Sequence, residues 1–247
     1  MKIFFKSSAA LLLAFAMVAP ASAELSANIS VANNYLWRGL TQSINEPAVS
    51  GGIDYAHESG FYVGTWVSNV SYGSNDAFNY EHDIYVGYAG EYKSISYDFG
   101  FLYYNYDEEA DFDFGELYGS LGYGGFSLTA YLLTHSEADE DAGQGIIGRD
   151  YDNGFGETYY LSADYGFEVR DGLEIGLHLG YHDGDFVDHF NFGRGEFEYF
   201  DYNVSIAKGG FGFMVSHTTL DEPAGLDTGL QNSQVKYVVS YSVDFDL

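Results

Sequence analysis

From Leu25 onward, apolar side chains recur at every second position. The last stretch shows it most plainly: Tyr237, Val239, Tyr241, Val243, Phe245 and Leu247 share one face, and Lys236, Ser240, Ser242, Asp244 and Asp246 share the other, with Val238 as the one intruder. A period of two is that of a strand with one apolar and one polar side. The same alternation recurs over residues 25–31, 61–67, 84–88, 95–103, 117–123, 126–132, 159–167, 173–181, 200–206 and 211–215, and more weakly over 49–55. This predicts twelve strands.

The connections sort by length. Residues 57–60, 90–93, 124–125, 168–172 and 208–210 are short and contain Gly, as tight hairpins require. The alternate links, 42–48, 69–80, 107–114, 136–156, 183–196 and 218–232, tend to be longer and carry most of the loose acidic sequence. Turns at one end and loops at the other predict an all-β, up-and-down antiparallel transmembrane β-barrel of about 12 strands, with short periplasmic turns and long extracellular loops. A soluble β-sandwich shares the alternation, but it points its apolar side inward and usually carries a bulkier mixed core. Closure into a barrel leaves no unpaired sheet edge in lipid.

Composition sharpens this picture. The chain has 247 residues, 37 acidic against 9 basic, no Cys, and is rich in Gly, Tyr and Phe. Such an acidic surface argues against nucleic-acid binding, and so much aromatic content argues against disorder. Lys2 and Lys6 precede an apolar run over residues 9–19, and Ala21-Ser22-Ala23 closes it with small residues. Residues 1–23 therefore read as a secretory signal peptide, cleaved after Ala23, leaving 24–247 as one barrel domain. Removing the two leader lysines takes the mature charge to −30. The expected division is aromatic side chains outward to lipid and carboxylates inward or in loops.

The segment Asn34-Tyr35-Leu36-Trp37-Arg38-Gly39-Leu40-Thr41-Gln42-Ser43, then Glu46-Pro47-Ala48, Gly51-Gly52-Ile53-Asp54-Tyr55-Ala56 and Ser59-Gly60-Phe61-Tyr62-Val63-Gly64-Thr65-Trp66, resembles the proteobacterial TorF-type porin family. The resemblance implies a signal peptide, a bacterial outer-membrane barrel and a porin role, with no catalytic residues to transfer. Its signature falls here on Tyr35, Arg38, Gly39, Pro47, Gly60, Tyr62, Gly64 and Trp66. The C-terminal strand also resembles the assembly signal of such barrels, with Leu247 where an aromatic residue is usual, which implies the barrel-assembly machinery as a partner beside outer-membrane lipids and lipopolysaccharide.

With apolar faces on lipid, parity sends Arg38, Glu81, Asp83, Asp98, Glu116, Asp164, Glu174, Asp201, Lys236, Asp244 and Asp246 to the lumen, together with His178 and His182. Acids dominate, which favours cations. The expected function is a channel for small solutes with a cation preference. The alternative is a barrel without transport, plugged by side chains or by the 136–156 loop, with a structural or binding role. Glu174, His178 and His182 share a face, but residues four apart in a strand stand roughly 13 Å apart, too far for one ion. No metal or cofactor site is assigned. Glu137, Asp139, Glu140, Asp141, Asp150 and Asp152 lack the calcium-loop spacing and read as a solvated loop. A hydrolase would need one of Ser120, Ser162, Ser205 or Ser216 beside His135, His178, His182 or His217. The chain has no G-x-S-x-G elbow, and parity turns Ser120, Ser162 and Ser205 away from lipid.

Overall fold

The computed structural model describes residues 23–73, 76–143, 148, 150–190, 195, 197–221 and 229–247. The leader expected over residues 1–23 lies outside the described residues save for its last position. Twelve strands form one closed antiparallel barrel: β1 (Glu24–Ala32), β4 (Ala48–Ala56), β5 (Phe61–Asn69), β6 (Tyr80–Tyr92), β7 (Ile95–Asn105), β8 (Phe114–Tyr123), β9 (Phe126–Ser136), β10 (Thr158–Arg170), β11 (Leu173–Gly184), β12 (Glu198–Lys208), β13 (Phe211–Thr218) and β14 (Lys236–Asp246). The seam joins the two ends of the chain, with Ser26 opposite Asp246 and Ala32 opposite Ser240. Between β1 and β4 lies a separate two-stranded hairpin, β2 (Leu36–Trp37) and β3 (Leu40–Thr41). One short helix, α1 (Asp185–Phe190), follows β11.

The turns are tighter than their sequence suggests. Strands β6 and β10 run on to Tyr92 and Arg170, leaving two-residue turns at Lys93-Ser94 and Asp171-Gly172. Both turn residues are left-handed in each case, as they are in Gly124-Gly125 and Gly209-Gly210. This is the type I′ geometry whose twist matches the flanking strands. Lys93, Ser94 and Asp171 adopt it despite their side chains, so glycine content alone places these turns too wide.

The burial pattern is inverted relative to a soluble protein. Ile53, Val63, Val86, Leu121, Leu161, Leu179, Val204 and Val239 are exposed on the outer face, while Glu81, Asp83, Glu116 and Asp201 are buried inside. Exposed Tyr55, Phe61, Tyr92, Tyr123 and Phe211 ring the turn end, and Tyr80 and Tyr237 the loop end. This is the apolar belt and double aromatic girdle of an outer-membrane barrel. Leu179 sits near the middle of β11 on that belt, so Leu179→Arg should cost about 2–4 kcal/mol of folding free energy. Urea midpoints in lipid vesicles, read from the gel shift of the folded band, check this value.

Aromatic residues are not confined to the lipid side, contrary to expectation. Inside the loop-end half a compact apolar core is built from Tyr35, Trp37, Leu40, Leu102, Tyr104, Phe114, Leu133, Phe186 and Tyr199. The largest wholly buried side chains include Tyr104, Tyr199, Phe114 and Phe186. A closed barrel has an interior to fill, and here its loop-end half is packed like a globular core.

Candidate functional site

The link from β1 to β4 does not pass outside the barrel. It begins at Asn33, earlier than the 42–48 link expected, and its β2–β3 hairpin folds into the interior with Arg38 and Gly39 at its tip. Both tip residues are left-handed, Arg38 at φ 48° and Gly39 at φ 80°. Gly39 also fits a space with no room for a side chain: a Cβ there would stand 2.7 Å from Asp201 Cβ and from Thr218 Cγ2.

Fixed contacts hold the hairpin. The Gln42 amide donates to Tyr35 O at 2.8 Å, Thr41 Oγ1 donates to Asn34 Oδ1 at 2.6 Å, and the Thr41 amide donates to Asn232 Oδ1 at 3.0 Å. Asn45 Nδ2 donates to the carbonyls of Gly229 and Leu230. Lys236 Nζ donates to Asn45 Oδ1 and Leu230 O. Tyr35 donates to Glu81 at 2.6 Å and packs edge-on against Trp66. The first loop thus folds into the interior, and of the described residues of the 136–156 loop Ala138, Tyr151 and Asn153 are buried as well.

Arg38 occupies the centre. Its side chain is 6% exposed, and Nη2 meets Glu116 Oε2 at 2.6 Å. Nη1 lies 3.1 Å from His182 Nε2. A guanidinium only donates, so Nε2 accepts and the ring proton is on Nδ1. That proton points at Tyr199 Oη, 3.3 Å away, and Tyr199 donates to Arg38 O at 2.9 Å. The guanidinium carbon stands 4.2 Å from the Trp37 ring centre, 4.4 Å from Tyr160 and 4.9 Å from Tyr131, all within cation–π range.

A second polar knot lies one step toward the turns. His178 Nδ1 is 2.6 Å from Asp164 Oδ1, and its Nε2 is 2.9 Å from Asp201 Oδ1. Ionised carboxylates only accept, so the ring bridging both of them carries a proton on each nitrogen. Tyr160 donates to Asp201 Oδ2 at 3.0 Å, and Ser162 donates to Asp164 Oδ2 at 3.0 Å. A cavity of ≈ 50 Å³ joins the two knots, bordered by Arg38, Tyr131, Tyr160, His178, Asp201 and Met214 among others.

Elsewhere on the inner wall tyrosines lie along the strands. A Cβ at Gly87 would meet Tyr62, one at Gly64 would meet Tyr85, and one at Gly100 would meet Tyr118. Each ring covers a glycine of the neighbouring strand, so it does not project across the barrel. Tyr62 donates to Asp98 at 2.6 Å, and Tyr85 to Asp54. Asp54 is an inner-wall acid missed in sequence because β4 alternates weakly. Asp83 is 2% exposed, and its Oδ1 has no hydrogen-bond partner.

The sequence-derived residues therefore separate by depth. Arg38, Glu116 and His182 meet at the hairpin tip. His178, Asp164 and Asp201 form the neighbouring knot, and Glu81 and Lys236 anchor the hairpin base. Asp98 stands apart under Tyr62. Glu174 is half-buried near the turn end, and Asp244 and Asp246 are exposed there. Among the described residues no group of three or more His, Cys, Asp or Glu is placed to hold a metal ion. Of the serines considered for hydrolysis, Ser120 accepts from Thr129 and Ser162 donates to Asp164.

At the loop end, α1 presents His189 to the Tyr151 ring, 4.3 Å between centres, and Asn153 Nδ2 lies 3.1 Å from its Nε2. Burial pushes the His189 pKa down to about 4, against the opposing pull of Asp188, Asp139 and Asp185. In the unfolded chain it titrates near 6.5. Between those values the unfolded state binds the extra proton, so this packing is fully stable above pH 6.5 and loses stability as pH falls toward 4. Hydrogen exchange of α1 at pH 7.5 and 4.5 should show faster opening at the lower pH, and a His189→Gln variant should lose that difference.

The comparison with curated proteins gives no match. Among solved structures the chain is similar to the "KdgM porin", at 10% identity and a TM-score of 0.52, covering 90% of this chain and 99% of that one. It is also similar to the structure titled "KdgM porin in complex with disordered oligogalacturonate", at 10% identity and TM-score 0.50, covering 91% and 99%. The NanC porin matches at 9% identity and TM-score 0.54, covering 90% and 100%. These likenesses show a shared porin fold. The family model described as "Bacterial protein of unknown function (Gcw_chp)" matches residues 17–245, and the chain belongs to that family.

Proposed function

We propose that the protein is an outer-membrane channel for small solutes that prefers cations and is narrowed by its own first loop. One observation carries this reading: the inner wall presents Asp54, Glu81, Asp83, Asp98, Glu116, Asp164 and Asp201, while its cations are Arg38, Lys236 and the doubly protonated His178. Carboxylates in a low-dielectric passage raise the local cation concentration. The same lining disfavours polyanions such as the oligogalacturonate named with one structural neighbour. The porin fold supports a transport role, and the resemblance of the first third to TorF-type porins agrees with it. The lipid-facing girdles fit a lipopolysaccharide leaflet, and the alternating last strand fits recognition by the assembly machinery.

The test is a reversal potential across planar bilayers in a potassium chloride gradient. A potential of the sign for cation flow is expected. Anion preference would defeat the selectivity, and a complete absence of current would favour the plugged binding barrel that the buried hairpin also suits.

A further inference from the structure

The groups that surround the Arg38 guanidinium come from two sources. Trp37 belongs to the hairpin, but Glu116, Tyr131, Tyr160 and His182 belong to the wall, one each from the consecutive strands β8, β9, β10 and β11. Together they offer a carboxylate oxygen at 2.6 Å, a ring-nitrogen acceptor at 3.1 Å and two aromatic rings at 4.9 and 4.4 Å from the guanidinium carbon. That set is complementary to a planar, multiply donating cation and less so to a compact ammonium, which cannot stack and fork at once. Three of the four wall groups have partners besides the guanidinium. Tyr104 donates to Glu116 at 3.2 Å, Tyr160 is tied to Asp201, and His182 is oriented by Tyr199. The adjoining cavity, bordered by His178 and Asp201, is where the remainder of a ligand would extend.

We propose that Glu116, Tyr131, Tyr160 and His182 form a guanidinium-binding site in the lumen wall, that Arg38 occupies it as an internal ligand, and that small guanidinium-bearing solutes compete for it. This rests on the channel reading for its physiological sense, since competition would free the hairpin tip and widen the path. The site itself is a matter of binding and is tested without current.

The probe is guanidinium chloride at millimolar concentration, against sodium chloride at equal ionic strength, on the detergent-folded barrel. In Arg38→Ala the cage is vacant, and guanidinium should raise the thermal unfolding midpoint by roughly 3–5 °C at ten times its Kd. Wild type, where guanidinium must first displace Arg38, should show a smaller rise at the same concentration, and the added substitution Glu116→Gln should abolish the rise. A midpoint unchanged or lowered in R38A, or raised equally in R38A/E116Q, overturns the site. Should R38A fail to give the folded gel band, wild-type conductance decides: guanidinium raises it above the sodium control if it displaces Arg38, and equal currents overturn the proposal. A wrong-signed reversal potential would sink cation preference while leaving the midpoint result standing.

Discussion

Replacing Arg38 with Ala should destabilise the folded barrel by about 3–5 kcal/mol, the cost of leaving a buried charge without its partner. Glu116 is 1% exposed, and its remaining hydrogen bond comes from the Tyr104 hydroxyl. Asp83 and Glu81 are buried on the same wall and add repulsion. The loss is therefore specific to the uncompensated carboxylate. The double variant Arg38→Ala with Glu116→Gln removes both charges and should recover most of the stability, because an ion pair deleted whole costs far less than one deleted by half. Equal losses in the single and double variants would show that packing, not charge, makes Arg38 important. Channel conductance should rise in both, since each removes the tip side chain that narrows the path. Urea midpoints and bilayer currents report the two effects separately.

A second large effect is expected at Gly39. Valine there must adopt φ near 80°, which disfavours any L side chain. It must also place its Cβ against Asp201 and Thr218, both fixed in the wall. Strain and overlap together amount to about 2–5 kcal/mol, and that penalty falls on the hairpin alone. Gly39→Val should therefore still form the gel-shifted barrel but with the hairpin displaced. Trp37, now 3% exposed among Tyr104, Phe114 and His182, should gain red-shifted fluorescence, and conductance should rise. Unaltered emission in a folded variant would mean that the tip yields locally.

The outer half of this design is legible in the sequence because lipid imposes a strict rule. Each strand must be apolar on alternate positions, so Leu25 to Val31 or Tyr237 to Leu247 announce themselves. The interior has no such rule. Leu36, Trp37 and Leu40 look like the end of a strand, because a hairpin with two residues in each strand is too short to show a period. Its turn depends on a positive φ at Arg38, a residue that does not advertise it. The inward aromatic residues are hidden for a related reason. Tyr62 and Tyr85 alternate correctly for the inner wall, but their compatibility with it depends on Gly87 and Gly64 across the strand pair, a match made only by register. Parity assigns a side chain's face from position alone, so it serves where the alternation is strong and misses Asp54 in the weakly alternating β4. Which of the inward acids and histidines meet is fixed by the hairpin: Arg38 joins Glu116 to His182 from 78 and 144 residues away.

The hairpin's anchors also tie it to closure of the barrel. Its contacts draw on Glu81, Glu116, His182 and Tyr199 around the ring, and on Asn232 and Lys236 beside the strand that meets β1 at the seam. No partial ring presents that full set. The full seat exists only in a ring whose first and last strands have paired, so a barrel that misregisters its seam should leave Arg38 without its complete set of partners.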